Sequence, residues 1–68
     1  MKTERLYLRI SPKRIYYLKF ILEGYDGMAT LSTIDPGKGI VILRYSREWS
    51  RDLFELLASL APELRATG

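Results

Sequence analysis

The 68-residue chain contains no cysteine and no histidine, and asparagine and glutamine are missing as well. Without cysteine there are no disulfides and no Cys-rich zinc or iron–sulfur centres. Without histidine or cysteine, acid–base work falls to carboxylates, lysine or tyrosine, and nucleophilic attack to a serine or threonine with an unusual base. The sequence shows no such constellation and no Walker or dinucleotide glycine-rich fingerprint. Glu23 and Asp26 supply only two oxygen donors, too few for a dedicated Mg²⁺ or Ca²⁺ site. The expectation is a protein that binds rather than catalyses, with no metal and no cofactor. Loss of several thermolabile side chains beside plentiful charge also hints at a thermophilic source.

Long hydrophobic runs are absent too. No stretch approaches the roughly 18 uninterrupted apolar residues of a membrane span. The first residues, Met1-Lys2-Thr3-Glu4-Arg5, lead into strand-like alternation rather than a signal-peptide core. A cytoplasmic protein without a membrane partner is expected.

What is present is a globular composition, 47% hydrophobic and 28% charged. A chain this short supports one core, so residues 1–68 are read as a single α+β domain, frayed over 64–68. Such a domain buries only about 60% of its unfolded surface, and oligomerisation is the obvious supplement to a marginal core. Eleven basic residues against eight acidic ones give a net charge of +3, which permits polyanion binding without demanding it.

Along the chain, Arg5 to Ile10 alternate with period two, placing Leu6, Leu8 and Ile10 on a core face. Ser11-Pro12 reads as a helix start, with the serine side chain as cap and proline at the first helical position. A helix is expected from Pro12 to about Asp26, ended by Gly27 in the left-handed region. Met28 to Ile34 and the β-branched run Ile40 to Tyr45 flank turn chemistry at Asp35-Pro36-Gly37-Lys38-Gly39, an antiparallel hairpin. Ser46 is placed to cap a last helix with Trp49, Leu53, Leu56, Leu57 and Leu60 on one face, ended by Pro62. The order is β-α-β-β-α, a two-layer sandwich in a ferredoxin-like arrangement lacking its last strand. In that arrangement strand one lies beside strand three and becomes an exposed edge.

The first helix is too apolar for a single buried face. Ile15, Tyr17, Leu18, Ile21, Leu22 and Tyr25 form one face, and Tyr16, Phe20 and Gly24 add a second stripe beside it. Its charges also oppose the helix dipole: Lys13 and Arg14 stand in the first turn, Glu23 and Asp26 in the last. Two copies packed antiparallel about a two-fold axis near Phe20 would account for both features. The expected homodimer interface comprises Tyr16, Phe20, Gly24, Tyr17, Lys13 and Glu23. A competing mode pairs the edge of strand one with another chain.

Two further surfaces suit other partners. The sheet face opposite the helices aligns Arg5, Tyr7 and Arg9 with Arg44, Thr30 and Ser32, a basic surface with one ring that suits single-stranded nucleic acid. Ser11, Lys13 and Arg14 at the helix start form a candidate site for a small anionic ligand.

Three segments taken together, Ser11-Pro12, Ile15 through Gly27, and Thr33-Ile34-Asp35-Pro36 through Gly39-Ile40-Val41, resemble a family of short bacterial proteins catalogued only as a domain of unknown function. More distantly, the order strand, Ser-Pro, helix, hairpin is similar to ACT regulatory domains. That resemblance implies an ACT-like fold and effector binding at a dimer interface. The loop here reads Ser11-Pro12-Lys13-Arg14 and lacks the Pro-Gly step that ACT domains commonly use for ligand contact.

Overall fold

The computed structural model describes residues 3–25 and 27–65. Strand β1 (Thr3–Arg9) leads through a 3₁₀ turn (Pro12–Arg14) into helix α1 (Ile15–Glu23). Strands β2 (Ala29–Asp35) and β3 (Ile40–Ser46) follow, then a second 3₁₀ turn (Arg47–Trp49) and helix α2 (Ser50–Leu64). The chain is an α+β domain in the expected β-α-β-β-α order.

The sheet runs β1-β3-β2, with β3 antiparallel to both neighbours. Strands β1 and β2 are therefore parallel to each other and joined through α1. Strand one does lie beside strand three, and it is an edge of the sheet. Alternation decides which side chains go inside, because successive strand residues point to opposite faces. Leu6, Leu43 and Leu31 align across the three strands, as do Leu8, Val41 and Thr33. The aliphatic residues of these rows join Ile15, Leu18 and Leu22 of α1 and Leu53 and Leu64 of α2 in one core. Leu18, Leu43, Leu53 and Val41 are fully buried. Both helices thus cover one sheet face and leave the other open.

The hairpin turn forms as its sequence requires. The Asp35 carboxylate accepts the Lys38 N–H at 3.1 Å, and Gly39 takes φ 72°. The Ile10 N–H donates to the Gly39 carbonyl at 2.8 Å, tying β1 to the turn. Beside it, β2 carries a bulge between Thr33 and Asp35, so the extra residue, Ile34, is 55% exposed.

Several expected boundaries move. The Ser11 side chain caps nothing; its N–H instead donates to the Leu64 carbonyl at 2.8 Å, and Arg14 N–H donates to the Ser11 carbonyl at 2.8 Å. The first turn is therefore 3₁₀, and α1 proper begins at Ile15. At its other end α1 stops at Glu23, three residues before the expected Asp26, which lies outside the described residues. Gly24 and Tyr25 donate to Ile21 and Leu22 at 3.0 and 3.1 Å, bonds of the tighter i→i+3 kind that unwind a helix end. Gly27 is left-handed, at φ 75°, but in the turn beyond rather than at the helix cap.

The second helix shows a similar shift. Ser46 occupies the position before its 3₁₀ turn without a side-chain cap bond, while Ser50 Oγ donates to the Arg47 carbonyl at 2.7 Å. Pro62 does not end α2 but sits in its last turn. Proline there removes one late helical bond, and the burial of Leu64 with its carbonyl bond to Ser11 holds the end. Leu64, expected to fray, is 4% exposed, and residues 66–68 lie outside the described residues.

Candidate functional site

Helix α1 divides its side chains as the excess of apolar residues foretells. Ile15, Leu18 and Leu22 point into the core, and Tyr17 and Ile21 are half-buried at its margin. Tyr16 and Phe20, one turn apart, are left 81% and 77% exposed. With Lys19 and Glu23 they line one shallow groove on the outer side of the helix. A helix places residues four apart side by side, so the two rings form a continuous patch rather than scattered exposures.

Gly24 continues this stripe at the helix end. Its φ of −77° is ordinary for any residue, unlike the left-handed values of Gly27 and Gly39. The backbone conformation does not require glycine at 24; within the protomer a Cβ there would lie 3.3 Å from the Ile21 carbonyl oxygen, and the missing side chain leaves the helix end beside the two rings low.

The basic end of α1 is arranged less openly than its sequence suggests. Lys13 is exposed, but Arg14 is half-buried, its guanidinium 5.8 Å from the centroid of the Tyr17 ring in a cation–π contact. Of the three residues read as an anion site, Ser11 gives its N–H to Leu64, Arg14 covers Tyr17, and Lys13 alone extends outward. Tyr17, read as part of the interface, is half-buried and packs against the core.

On the open sheet face, the register brings the basic residues into rows. Arg5, Arg44 and Thr30 align across the sheet, and Tyr7, Ile42 and Ser32 form the next row. Arg44 Nη1 donates to Ser32 Oγ at 3.3 Å. Arg9 ends the strand opposite Ile40. Tyr7 is 61% exposed, while Ile42 beside it is only 2% exposed.

Two features have no counterpart in the sequence reading. Phe54 of α2 is 47% exposed and meets Tyr45 edge to face, with ring centroids 6.0 Å apart. Tyr25, Met28, Trp49, Asp52, Glu55 and Leu56 line a cleft between the end of α1 and the start of α2. An aromatic on the polar side of a helical wheel was the available signal for Phe54; nothing local places Tyr25 near Trp49. Among the described residues, no group of three or more acidic side chains is placed to hold a metal ion. Nor is any helix among them long and apolar enough to cross a membrane.

The fold and its surfaces define a small α+β domain with an aromatic helix stripe on one side and a basic sheet face on the other. The chain belongs to the family described as a domain of unknown function (DUF4911), whose model matches residues 8–63. No curated protein and no solved structure matches it.

Proposed function

We propose that this protein is a non-enzymatic binding or regulatory module that works as a homodimer, assembled through α1. One observation carries the reading: Tyr16 and Phe20, exposed side by side on a helix whose other face is already buried. Antiparallel packing about an axis near Phe20 covers both rings and brings Tyr16 of each copy over Gly24 of the other. It also sets Lys13 against Glu23, relieving charges that oppose the helix dipole within each protomer.

Burial of a large apolar side chain contributes about 1.5–3 kcal/mol, so four rings supply about 6–12 kcal/mol. Association costs about 4–15 kcal/mol, a range that brackets this gain. The charge pairs and the close approach at Gly24 then decide whether the dimer holds. Edge pairing of β1, where Leu8, Ile10, Leu57, Ala61 and Leu64 line a groove beside the open edge, is the rival mode of assembly.

Light scattering at micromolar concentration tests the proposal. Twice the protomer mass is expected for the natural chain and a single mass for Phe20→Glu. A protomer mass for the natural chain sinks it, as does a Phe20→Glu variant that stays dimeric.

A second reading rests on a different observation, the direct pairing of Arg5 with Arg44 on the opposite side of the molecule. It makes that face a surface for single-stranded nucleic acid and does not depend on the oligomeric state.

A further inference from the structure

Like charges placed directly opposite each other on a sheet repel. Strands β1 and β3 nevertheless pair Arg5 with Arg44, and Arg9 follows on the same face of β1. On this face the described residues place one carboxylate, Asp35, at the far corner, and it already accepts the Lys38 N–H. The helix residues of the core, Ile15, Leu18, Leu22, Leu53 and Leu64, cluster with the side chains of the other sheet face. Tyr7 stands between Arg5 and Arg9 along the strand and opposite Ile42 across it. Ile42 is buried, at 2% exposed. Tyr7 itself stays 61% exposed. The result is an exposed ring with cations before and behind it along the strand.

We infer that this face holds an unpaired nucleotide, its base stacked on Tyr7 and its flanking phosphates on the Arg5–Arg44 pair and on Arg9. The inference rests on the second reading above and makes it specific. Strand residues two apart are about 6.7 Å apart, so the three groups follow one extended backbone rather than a compact anion. An arginine fork matches phosphate geometry, and each phosphate bound relieves the repulsion between Arg5 and Arg44. A ring free on one side suits a base that has already left its stack, which selects single strands over duplex. A purely acidic partner would use the arginines and leave Tyr7 idle.

Fluorescence anisotropy on the whole chain provides the test, with labelled oligothymidylate of about 12 nucleotides and the matching duplex as probes. Single strands should bind more tightly than duplex. The slope of log affinity against log salt should lie near −1.4, at about −0.7 for each of the two phosphates. Arg9→Ala, and the double variant Arg5→Ala/Arg44→Ala, should each flatten the slope by about 0.7. Tyr7→Ala should weaken binding about tenfold without changing the slope, the size of one lost base stack, and Tyr7→Phe should restore it. Thermal melts of the variants establish that each is folded.

Undiminished binding by Tyr7→Ala overturns the stacked nucleotide while the second reading stands, and equal affinity for duplex does the same. Displacement of the oligonucleotide by polyglutamate at equal charge overturns the inference in favour of an acidic protein partner. No binding at low salt removes both the inference and the reading beneath it.

Discussion

At the scale of single residues, the glycines sort by what their backbone demands. Gly39 is held at φ 72°, and a Cβ there would collide with the Ile10 carbonyl oxygen, next to the hydrogen bond that anchors β1. A left-handed backbone alone costs a non-glycine residue about 1–2 kcal/mol. The clash adds displacement of β1, so Gly39→Ala should lower unfolding free energy by about 3 kcal/mol or more. Gly27, at φ 75° with nothing within 4 Å, faces the backbone cost alone. Gly24 has an ordinary φ, but a Cβ there would lie 3.3 Å from the Ile21 carbonyl oxygen, so Gly24→Leu should cost the isolated protomer less than Gly39→Ala does while opposing dimerisation. Urea titrations in a Phe20→Glu background measure the protomer alone, and light scattering with Phe20 restored measures assembly. A Gly24→Leu protomer destabilised as much as Gly39→Ala would assign that glycine to the fold instead.

At the scale of elements, α1 has a buried side and an exposed side next to each other. Leu18 is fully buried among both helices and the sheet, whereas Phe20, two residues on, is 77% exposed. A buried leucine cut to alanine costs about 2–5 kcal/mol. For a domain of 68 residues, total stability is about 3–10 kcal/mol. Leu18→Ala should therefore unfold a measurable fraction of the protein at room temperature. Phe20→Ala should leave the protomer's urea midpoint in place and affect only its mass at a given concentration. Equal loss of stability in both variants would mean that Phe20 packs within its own chain.

The same helix shows what was legible in sequence. Period-two alternation placed Leu6 and Leu8 inward, and the hairpin followed from Asp35 through Gly39, because strand faces and turn conformations are set by neighbouring residues. The apolar excess at Tyr16 and Phe20 was visible on a helical wheel for the same reason. The helix ends were not. The Arg14 N–H donates to the Ser11 carbonyl rather than to its hydroxyl, the Gly24 N–H donates to the Ile21 carbonyl, and the bond from the Ser11 N–H reaches Leu64 at the far end of the chain. Pro62 misled because a buried Leu64 outweighs one lost helical bond. The basic face was legible as alternate residues of β1, but the pairing of Arg5 with Arg44 depends on register. The cation–π contact of Arg14 with Tyr17 depends on rotamers that spacing alone does not fix.

At the scale of the whole molecule, the two surfaces face away from each other. The aromatic stripe lies on the outer side of the helix layer and the arginines on the open side of the sheet, so a dimer joined through α1 presents its two basic faces outward. The arginines also bear on how copies meet. Edge pairing of β1 would bring Arg5 and Arg9 of both copies onto one enlarged face beside Arg44, and charged side chains on an edge strand discourage such pairing. Helix pairing keeps those charges apart and brings opposite charges together at the ends of α1.

That difference makes charge exchange the sharper test of assembly. Within one protomer, Lys13→Glu places an anion at the positive end of the helix and should stabilise the fold by about 0.3–1 kcal/mol, and Glu23→Lys should do likewise at the other end. Across an antiparallel α1 pair, each change sets like charges against each other and should raise the dissociation constant. The double variant Lys13→Glu/Glu23→Lys restores opposite charges across the pair while keeping both protomer gains, so it should dimerise again and melt higher than the natural chain. Because the melting temperature of a dimer rises with protein concentration, its concentration dependence should vanish in each single variant and return in the double. Edge pairing through β1 gives no such recovery, since Lys13 and Glu23 lie on neither side of that strand. Single variants that keep the natural concentration dependence would exclude assembly through α1.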